Sequence, residues 1–185
     1  MKLFFASDLH GDLAAARAMA DAFWREGAER LFLLGDLLYH GPRNDIPAGY
    51  DPRGVIALLS ELKDKISAVR GNCDAEVDQM VLPFPIRADY AVLPLGEHVA
   101  YLTHGHLFDG GVPAEVLPRD ILIEGHTHVA GMTTTASGIV CLNPGSVSMP
   151  KGGTPAAYMI YDSESATFTV RRLADGSVFC SYTVG

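Results

Sequence analysis

No apolar run in the chain approaches the roughly 20 residues that cross a membrane, so no membrane partner is expected. The first apolar stretch, Leu3-Phe4-Phe5-Ala6, is too short for a secretory signal and runs into Asp8. Cysteine is scarce and odd in number. Cys73, Cys141 and Cys180 lie far apart, which argues against a disulfide framework and fits a reducing, cytoplasmic setting. Basic residues are also in the minority, 14 Lys and Arg against 22 Asp and Glu, for a formal charge of −8. A binder of duplex nucleic acid carries a basic stripe; this chain has none. Repeats and low-complexity linkers are missing too. What remains is 185 residues, 48% of them apolar, read as one domain over residues 1–185 that is large enough to bury its own core.

That chain has a rhythm. Short β-branched, aliphatic or aromatic runs each lead into a polar motif: Leu3-Phe4-Phe5-Ala6 into Ser7-Asp8-Leu9-His10-Gly11, and Leu31-Phe32-Leu33-Leu34 into Gly35-Asp36. Ile66-Ser67-Ala68-Val69 leads into Arg70-Gly71-Asn72-Cys73-Asp74, and Val99-Ala100-Tyr101-Leu102 into Thr103-His104-Gly105-His106. Ile121-Leu122-Ile123 leads into Glu124-Gly125-His126-Thr127-His128. Such runs read as strands buried on both faces. Between the early ones, 12–26 has apolar residues at helical spacing, and Asp51-Pro52 reads as a helix start running to about Leu62. The first half is therefore β-α-β-α-β with a parallel sheet. The second half has glycine-rich turns and two successive antiparallel strands, Tyr158–Tyr161 and 167–173. Two sheets face to face with helices outside accommodate both halves.

In open α/β sheets, ligands bind beyond the carboxyl ends of the strands. Five strand ends here deliver Asp8, His10, Asp36, Asn72, His104, His126 and His128. In extended backbone, residues two apart point the same way, so Asp8 with His10, and His126 with His128, are expected to act in pairs. For any single residue, a turn-capping role competes with a ligand role; it is the joint set that favours a site. Carboxylate, imidazole and amide oxygen suit Mn²⁺, Fe²⁺, Zn²⁺ or similar ions, not a closed cysteine-rich zinc site. Seven ligands exceed one tetrahedral ion and suit two ions sharing a carboxylate. Two such ions against Asp8 and Asp36 leave a local charge of about +2, enough to attract a phosphate to an acidic chain.

At these residues the sequence resembles the calcineurin-like metallophosphoesterases, whose pattern is Asp-x-His, Gly-Asp, Gly-Asn-His-Asp/Glu, a His, and Gly-His-x-His. All five blocks occur in order between residues 8 and 128. His40-Gly41-Pro42-Arg43-Asn44, 76–80 and Asn143-Pro144-Gly145-Ser146-Val147-Ser148 are similar to the small bacterial YfcE-type phosphodiesterases over nearly the whole chain. The resemblance implies an α/β fold, a four-layer α-β-β-α sandwich of two mixed sheets flanked by helices. It implies one metal on Asp8, His10, Asp36 and His128, and another on Asp36, Asn72, His104 and His126, with Asp36 bridging. It implies Mn²⁺, with Zn²⁺, Fe²⁺ or Ni²⁺ as alternatives, and a small phosphodiester substrate attacked by a metal-bridging hydroxide.

Where many members have His in the third block, this chain has Cys73, a poor acid. His106 and His40 are candidates to take over near the leaving group, while the competing reading of Cys73 is a small buried hydrophobe. Arg43 is a candidate phosphate contact, and Asp74 a candidate partner of a ligand histidine. Lys151 reads as a turn residue, and the Phe4-Phe5 and Phe23-Trp24 pairs as core. The loops 37–50 and 108–118 are expected to shape the pocket. Apolar surface in the second half leaves room for a homo-oligomer, dimer or tetramer. Two other functions compete: a protein-binding scaffold without turnover, and a phosphomonoesterase or nucleotide pyrophosphatase.

Overall fold

The computed structural model describes residues 1–108, 113 and 116–185. The first half forms as its periodicity dictates. Strand β1 (Lys2–Ala6) leads to helix α1 (Leu13–Arg25), β2 (Arg30–Leu33), helix α2 (Pro52–Glu61) and β3 (Ile66–Ala68). Asp12 and Asp51 are the N-caps of the two helices, accepting from the N–H groups of Ala15 at 3.0 Å and Gly54 at 3.0 Å. Those bonds satisfy donors that a helix start leaves free. β1 pairs parallel with β2, and β2 with β3.

Three strands from the far end of the chain complete the first sheet. Short helix α3 (Glu76–Gln79) is followed by β4 (Tyr90–Leu95), β5 (His98–Thr103), β6 (Ile121–Glu124), β7 (Gly131–Thr134) and β8 (Val140–Asn143). These give way to β9 (Ala157–Asp162), β10 (Thr167–Arg172) and β11 (Val178–Thr183). The first sheet runs β11-β10-β9-β1-β2-β3, and the second β4-β5-β6-β8-β7. Both are mixed: β9 is antiparallel to β1, and β5 is parallel to β6 while β4 is antiparallel to β5.

Alternation along β1 assigns the layers. Phe4 and Ala6 join a cluster with Met19, Phe23, Val55 and Leu59 of the helices. Leu3 and Phe5 join a second cluster with Leu102, Ile121, Ile123 and Leu142 of the other sheet. The sandwich expected from the sequence is therefore present, with α1 and α2 on the outer face of the six-stranded sheet. On the outer face of the second sheet, Leu122 packs with Val116 and Ile139. Phe4, Phe5 and Phe23 are core as read, but Trp24 is 58% exposed. It shares α1 with Phe23 yet points away from the sheet, the ordinary consequence of neighbouring helical positions facing apart.

Phe5 is fully buried between the sheets and stacks on Phe32, ring centres 5.1 Å apart. Phe5→Ala should lower the unfolding free energy by about 3–5 kcal/mol, read as a reduced urea midpoint. A loss below about 1 kcal/mol would mean that β1 is not the shared wall of the two cores.

Candidate metal centre

The loops that follow β1, β2, β3, β5 and β6 meet at one end of the sandwich. Extended backbone does not aim the side chains there, as the two-residue spacing had implied. Asp8, His10, Asp36, His126 and His128 all have left-handed backbone, with φ of 58°, 48°, 56°, 65° and 60°. Among the described residues, Ala166 is the one other non-glycine with positive φ. Such conformations cost of order 1–3 kcal/mol each and persist where the surroundings over-determine them. Here they turn the chain sharply off each strand and drive the side chain back across the sheet end.

The surroundings that impose this are specific. The N–H groups of Asp8 and His10 donate to the carbonyls of Gly35 at 3.1 Å and Asp36 at 2.9 Å, tying the first loop to the second. Asp74 ties the second to the third: its carboxylate accepts from the N–H groups of Asp36 at 2.9 Å, Leu37 at 2.8 Å and Gly71 at 2.7 Å. Asp74 thus serves the backbone around Asp36, not a histidine ring as the sequence had suggested. A Cβ at Gly71 would collide with the backbone and carboxylate of Asp36, so this loop approach needs glycine whatever its φ. The Asn143–Ser148 turn holds the remaining pieces. Ser146 and Ser148 hydroxyls both donate to the Asp8 carbonyl at 2.8 Å, and Asn143 Nδ2 donates to the Gly125 carbonyl at 2.9 Å.

Three imidazoles are held by one nitrogen each. His10 Nδ1 lies 2.8 Å from the Tyr39 carbonyl, His104 Nδ1 2.6 Å from that of Leu34, and His128 Nδ1 2.7 Å from that of Met149. A carbonyl only accepts, so each Nδ1 carries a proton, and the ring in its neutral, metal-binding form presents a bare Nε2 lone pair. Those lone pairs face one another and other acceptors. His10 Nε2 is 3.2 Å from His128 Nε2, which is 3.2 Å from Asp8 Oδ1. Asp36 Oδ2 lies 3.6 Å from His10 Nε2 and 3.5 Å from His104 Nε2. His104 Nε2 also faces Asn72 Oδ1 at 3.1 Å. Asp8 Oδ1 is buried and has no hydrogen-bond partner. Converging acceptors without donors are a fit for a cation.

The donor atoms of Asp8, His10 and His128 lie within 4.8 Å of one another, as do those of Asp8, Asp36 and His104. Those of His10, Asp36 and Cys73 do the same. His126 completes the wall, its ring 5.0 Å from that of His104. The field fits a cation as well. Burial opposes charge at Asp8, but the His10 and His128 rings outweigh it and hold the carboxyl well below the usual range. Burial likewise works against His104, yet the Asp36 carboxylate raises its pKa to about 9. Burial and the charge on His104 push His126 down, which keeps its lone pairs free.

The other expected residues are placed as follows. Cys73 is half-buried on the cavity wall, its N–H donating to Asp36 Oδ1 at 2.8 Å. Burial first, and then the charge of Asp36, push its thiol up, so it is a neutral SH group. His106 lies 5.4 Å from His104 ring to ring, with Nδ1 buried and unpartnered. His40 packs between Tyr39 and Tyr50, ring centres 4.7 and 5.4 Å away. Arg43 is exposed on the rim of a cavity of about 420 Å³ that His10, Asp36, Asn72, His126 and His128 also line. Lys151, read as a turn residue, reaches the same rim, with Nζ 3.4 Å from Asn44 Oδ1. Its N–H bond to the His128 carbonyl at 3.0 Å puts it there, a register invisible in the sequence. Of the loop 108–118, residues 109–112, 114 and 115 lie outside the described residues, so its expected role in shaping the pocket is not described.

Comparison with known proteins agrees with this geometry. The model of the calcineurin-like phosphoesterase superfamily domain matches residues 1–166. The chain is 45% identical over 184 residues to the phosphodiesterase YfcE of Escherichia coli K12, covering all of this chain and 98% of that protein. The solved structure of Escherichia coli YfcE, described as a phosphoesterase, superposes with a TM-score of 0.93 over all of both chains, again at 45% identity. Vps29 of Entamoeba histolytica in complex with Zn²⁺ shares the fold, with a TM-score of 0.63 at 21% identity over all of both chains. With a family match across most of its length and these loops gathered at one end of the sandwich, the chain belongs to the calcineurin-like phosphoesterase superfamily.

Proposed function

We propose that the protein is a metal-dependent phosphodiesterase with a dinuclear centre, Asp8, His10, Asp36 and His128 holding one ion and Asp36, Asn72, His104 and His126 the other. One observation carries the reading: Asp36 Oδ2 lies between His10 Nε2 and His104 Nε2, at 3.6 and 3.5 Å. Those histidines come from loops of different sheets. With Oδ1 engaged by the Cys73 N–H, Oδ2 is the oxygen left to bridge. Mn²⁺ is the expected occupant, and the carboxylate, imidazole and amide set also suits Zn²⁺, Fe²⁺ or Ni²⁺. The diesterase activity named for Escherichia coli YfcE supports the choice of a diester.

Bound ions supply Lewis acidity toward the phosphoryl oxygens and a nucleophile made from water at neutral pH. The chain does the rest. The Nδ1–H bonds of His10, His104 and His128 to backbone carbonyls fix each ring's tautomer and direction. Asp74 holds Asp36 through the backbone and so sets the distance between the two halves. Arg43 and Lys151 stand on the cavity rim as the cations available to a phosphate's outer oxygens. His106, with a pKa lowered by burial and by the charge of His104, stands beside His104 and His126 and is the candidate to share a proton with a leaving oxygen. Cys73 as a neutral thiol contributes shape. Three free cysteines fit the reducing cytoplasm.

The first test is elemental analysis with hydrolysis of bis-p-nitrophenyl phosphate. Activity should vanish on chelation and return with Mn²⁺. A chelated protein of undiminished activity would falsify the reading, and a chain that binds no metal would point to a scaffold. Asp36→Ala should lose both ions together, whereas His128→Ala should mainly weaken one; equal loss in both variants would remove Asp36 from the bridge. Cys73→Ser should keep its diesterase rate within about 10-fold, and a drop beyond about 100-fold, the scale of an acid–base group, would make the thiol a participant.

A further inference from the structure

A second cavity, of about 370 Å³, opens directly beside the metal centre. Cys73 lines both, so its side chain is the partition between them. The rest of the second cavity is of a different character: Leu38, Tyr39, Tyr50, Pro52 and Val77 form its walls. Leu38 is core, while Tyr39 is 41% and Val77 63% exposed. Solvent-facing apolar side chains at the mouth of a catalytic cavity need an occupant more than scattered ones do. Its size suits one ring, and two tyrosine rings offer a planar group both apolar faces and hydroxyl partners.

Charge narrows the occupant. On the rim of the centre stand Arg43 and Lys151, the cations for the phosphate in the reading proposed above. In the second cavity the charged group is an acid, Asp78, whose Oδ2 accepts from the Ala75 N–H at 2.8 Å. An anionic substituent is disfavoured there and a neutral one is not.

We propose that this cavity is the subsite for one ester arm of the substrate, and that the arm is a neutral aromatic group. The substrate class is then a phosphodiester with at least one aryl or similarly planar, uncharged substituent. The inference rests on the phosphodiesterase reading above and deepens it. Cys73 has a role in this arrangement that needs no proton chemistry: a small neutral partition lets the arm pass from the phosphate into the groove, where a larger side chain would narrow the gap.

The test is calorimetric binding of two unreactive anions to the Mn²⁺-loaded full chain. Diphenylphosphinate and dimethylphosphinate share the charged group and carry no hydrolysable ester. Diphenylphosphinate should bind about 10-fold tighter or better, the scale of one partly buried ring. Val77→Asp should erase most of that preference and leave the dimethylphosphinate affinity within about 2-fold. Val77→Ser, a milder change at the same exposed position, should weaken the preference in the same direction and guards against a misfolded first variant. Equal affinity for the two anions, or variants that leave the preference untouched, would overturn the aromatic subsite while leaving the metal-dependent reading in place. Binding of neither anion would overturn both. A Val77→Asp protein that changes its sedimentation but neither affinity would hand the groove to a second copy of the chain and overturn the proposal.

Discussion

The structure depends on the way three histidines are pinned. A ring nitrogen bonded to a carbonyl must carry its proton on that side, and the Tyr39, Leu34 and Met149 carbonyls impose this on His10, His104 and His128. The opposite nitrogens are left as acceptors, and they converge on Asp8 Oδ1, Asp36 Oδ2 and Asn72 Oδ1. Without a cation this is an arrangement of facing lone pairs, and all of its members named here but Asn72 are buried. The fold spends stability to build it, and only positive charge returns that stability. The raised pKa of His104 is the same demand expressed toward a proton.

Holding acceptors together against their repulsion takes a stiff frame, and here the frame is backbone. Five left-handed residues are distributed over three of the loops, and none of these turns would persist alone. Each is fastened to a neighbour: β1's loop to β2's through main-chain bonds, β2's to β3's through Asp74, and β6's to β8's through Asn143. Other bonds cross between the two sheets, from Ser146 and Ser148 to the Asp8 carbonyl and from His104 to that of Leu34, so the packing of Phe5 and its partners in the shared core is part of what keeps the ligands in register. Stability and function are joined at that point: loosening the sheets moves the histidines.

Much of this was legible in the sequence, and the reason differs by element. The strands of the first half and both long helices were readable because each carries its own signal: continuous apolar runs, an apolar helical stripe, and Asp12 and Asp51 as caps. The site was readable because its residues cluster at strand ends. The strands β4, β7, β8 and β11 were not. They are short or lie at sheet edges, and β4 carries Pro94. Nor could the sequence reveal the left-handed turns, because Asp and His tolerate that region without requiring it. Asp74 was expected beside a histidine ring because it follows a ligand motif, yet its carboxylate faces three backbone N–H groups that only the folded loops bring together. Lys151 reaches the cavity by a main-chain bond to His128, and no local pattern encodes that bond.

The acidic balance of the chain bears on how such a site handles an anion. With a formal charge of −8, long-range attraction of a phosphate is not available, and at physiological ionic strength it would fade within about 8 Å in any case. Selectivity must be assembled within the cavity itself. The carboxylates of Asp8 and Asp36 are buried, so their charge is directed inward at the imidazole nitrogens that face them, an arrangement that suits a cation. Arg43 and Lys151 stand outside that ring, exposed and free to reorient toward whatever binds. Under the proposed metal-dependent reading the site is layered: negative at its floor, positive where ions would be held, and cationic again at the rim. A phosphodiester carries a single charge and meets that sequence at close range only, which favours recognition of its two ester arms over recognition of its charge. The neutral Cys73 thiol lines both the cavity of the candidate metal centre and the apolar groove, and in the proposed arrangement those two kinds of recognition meet there.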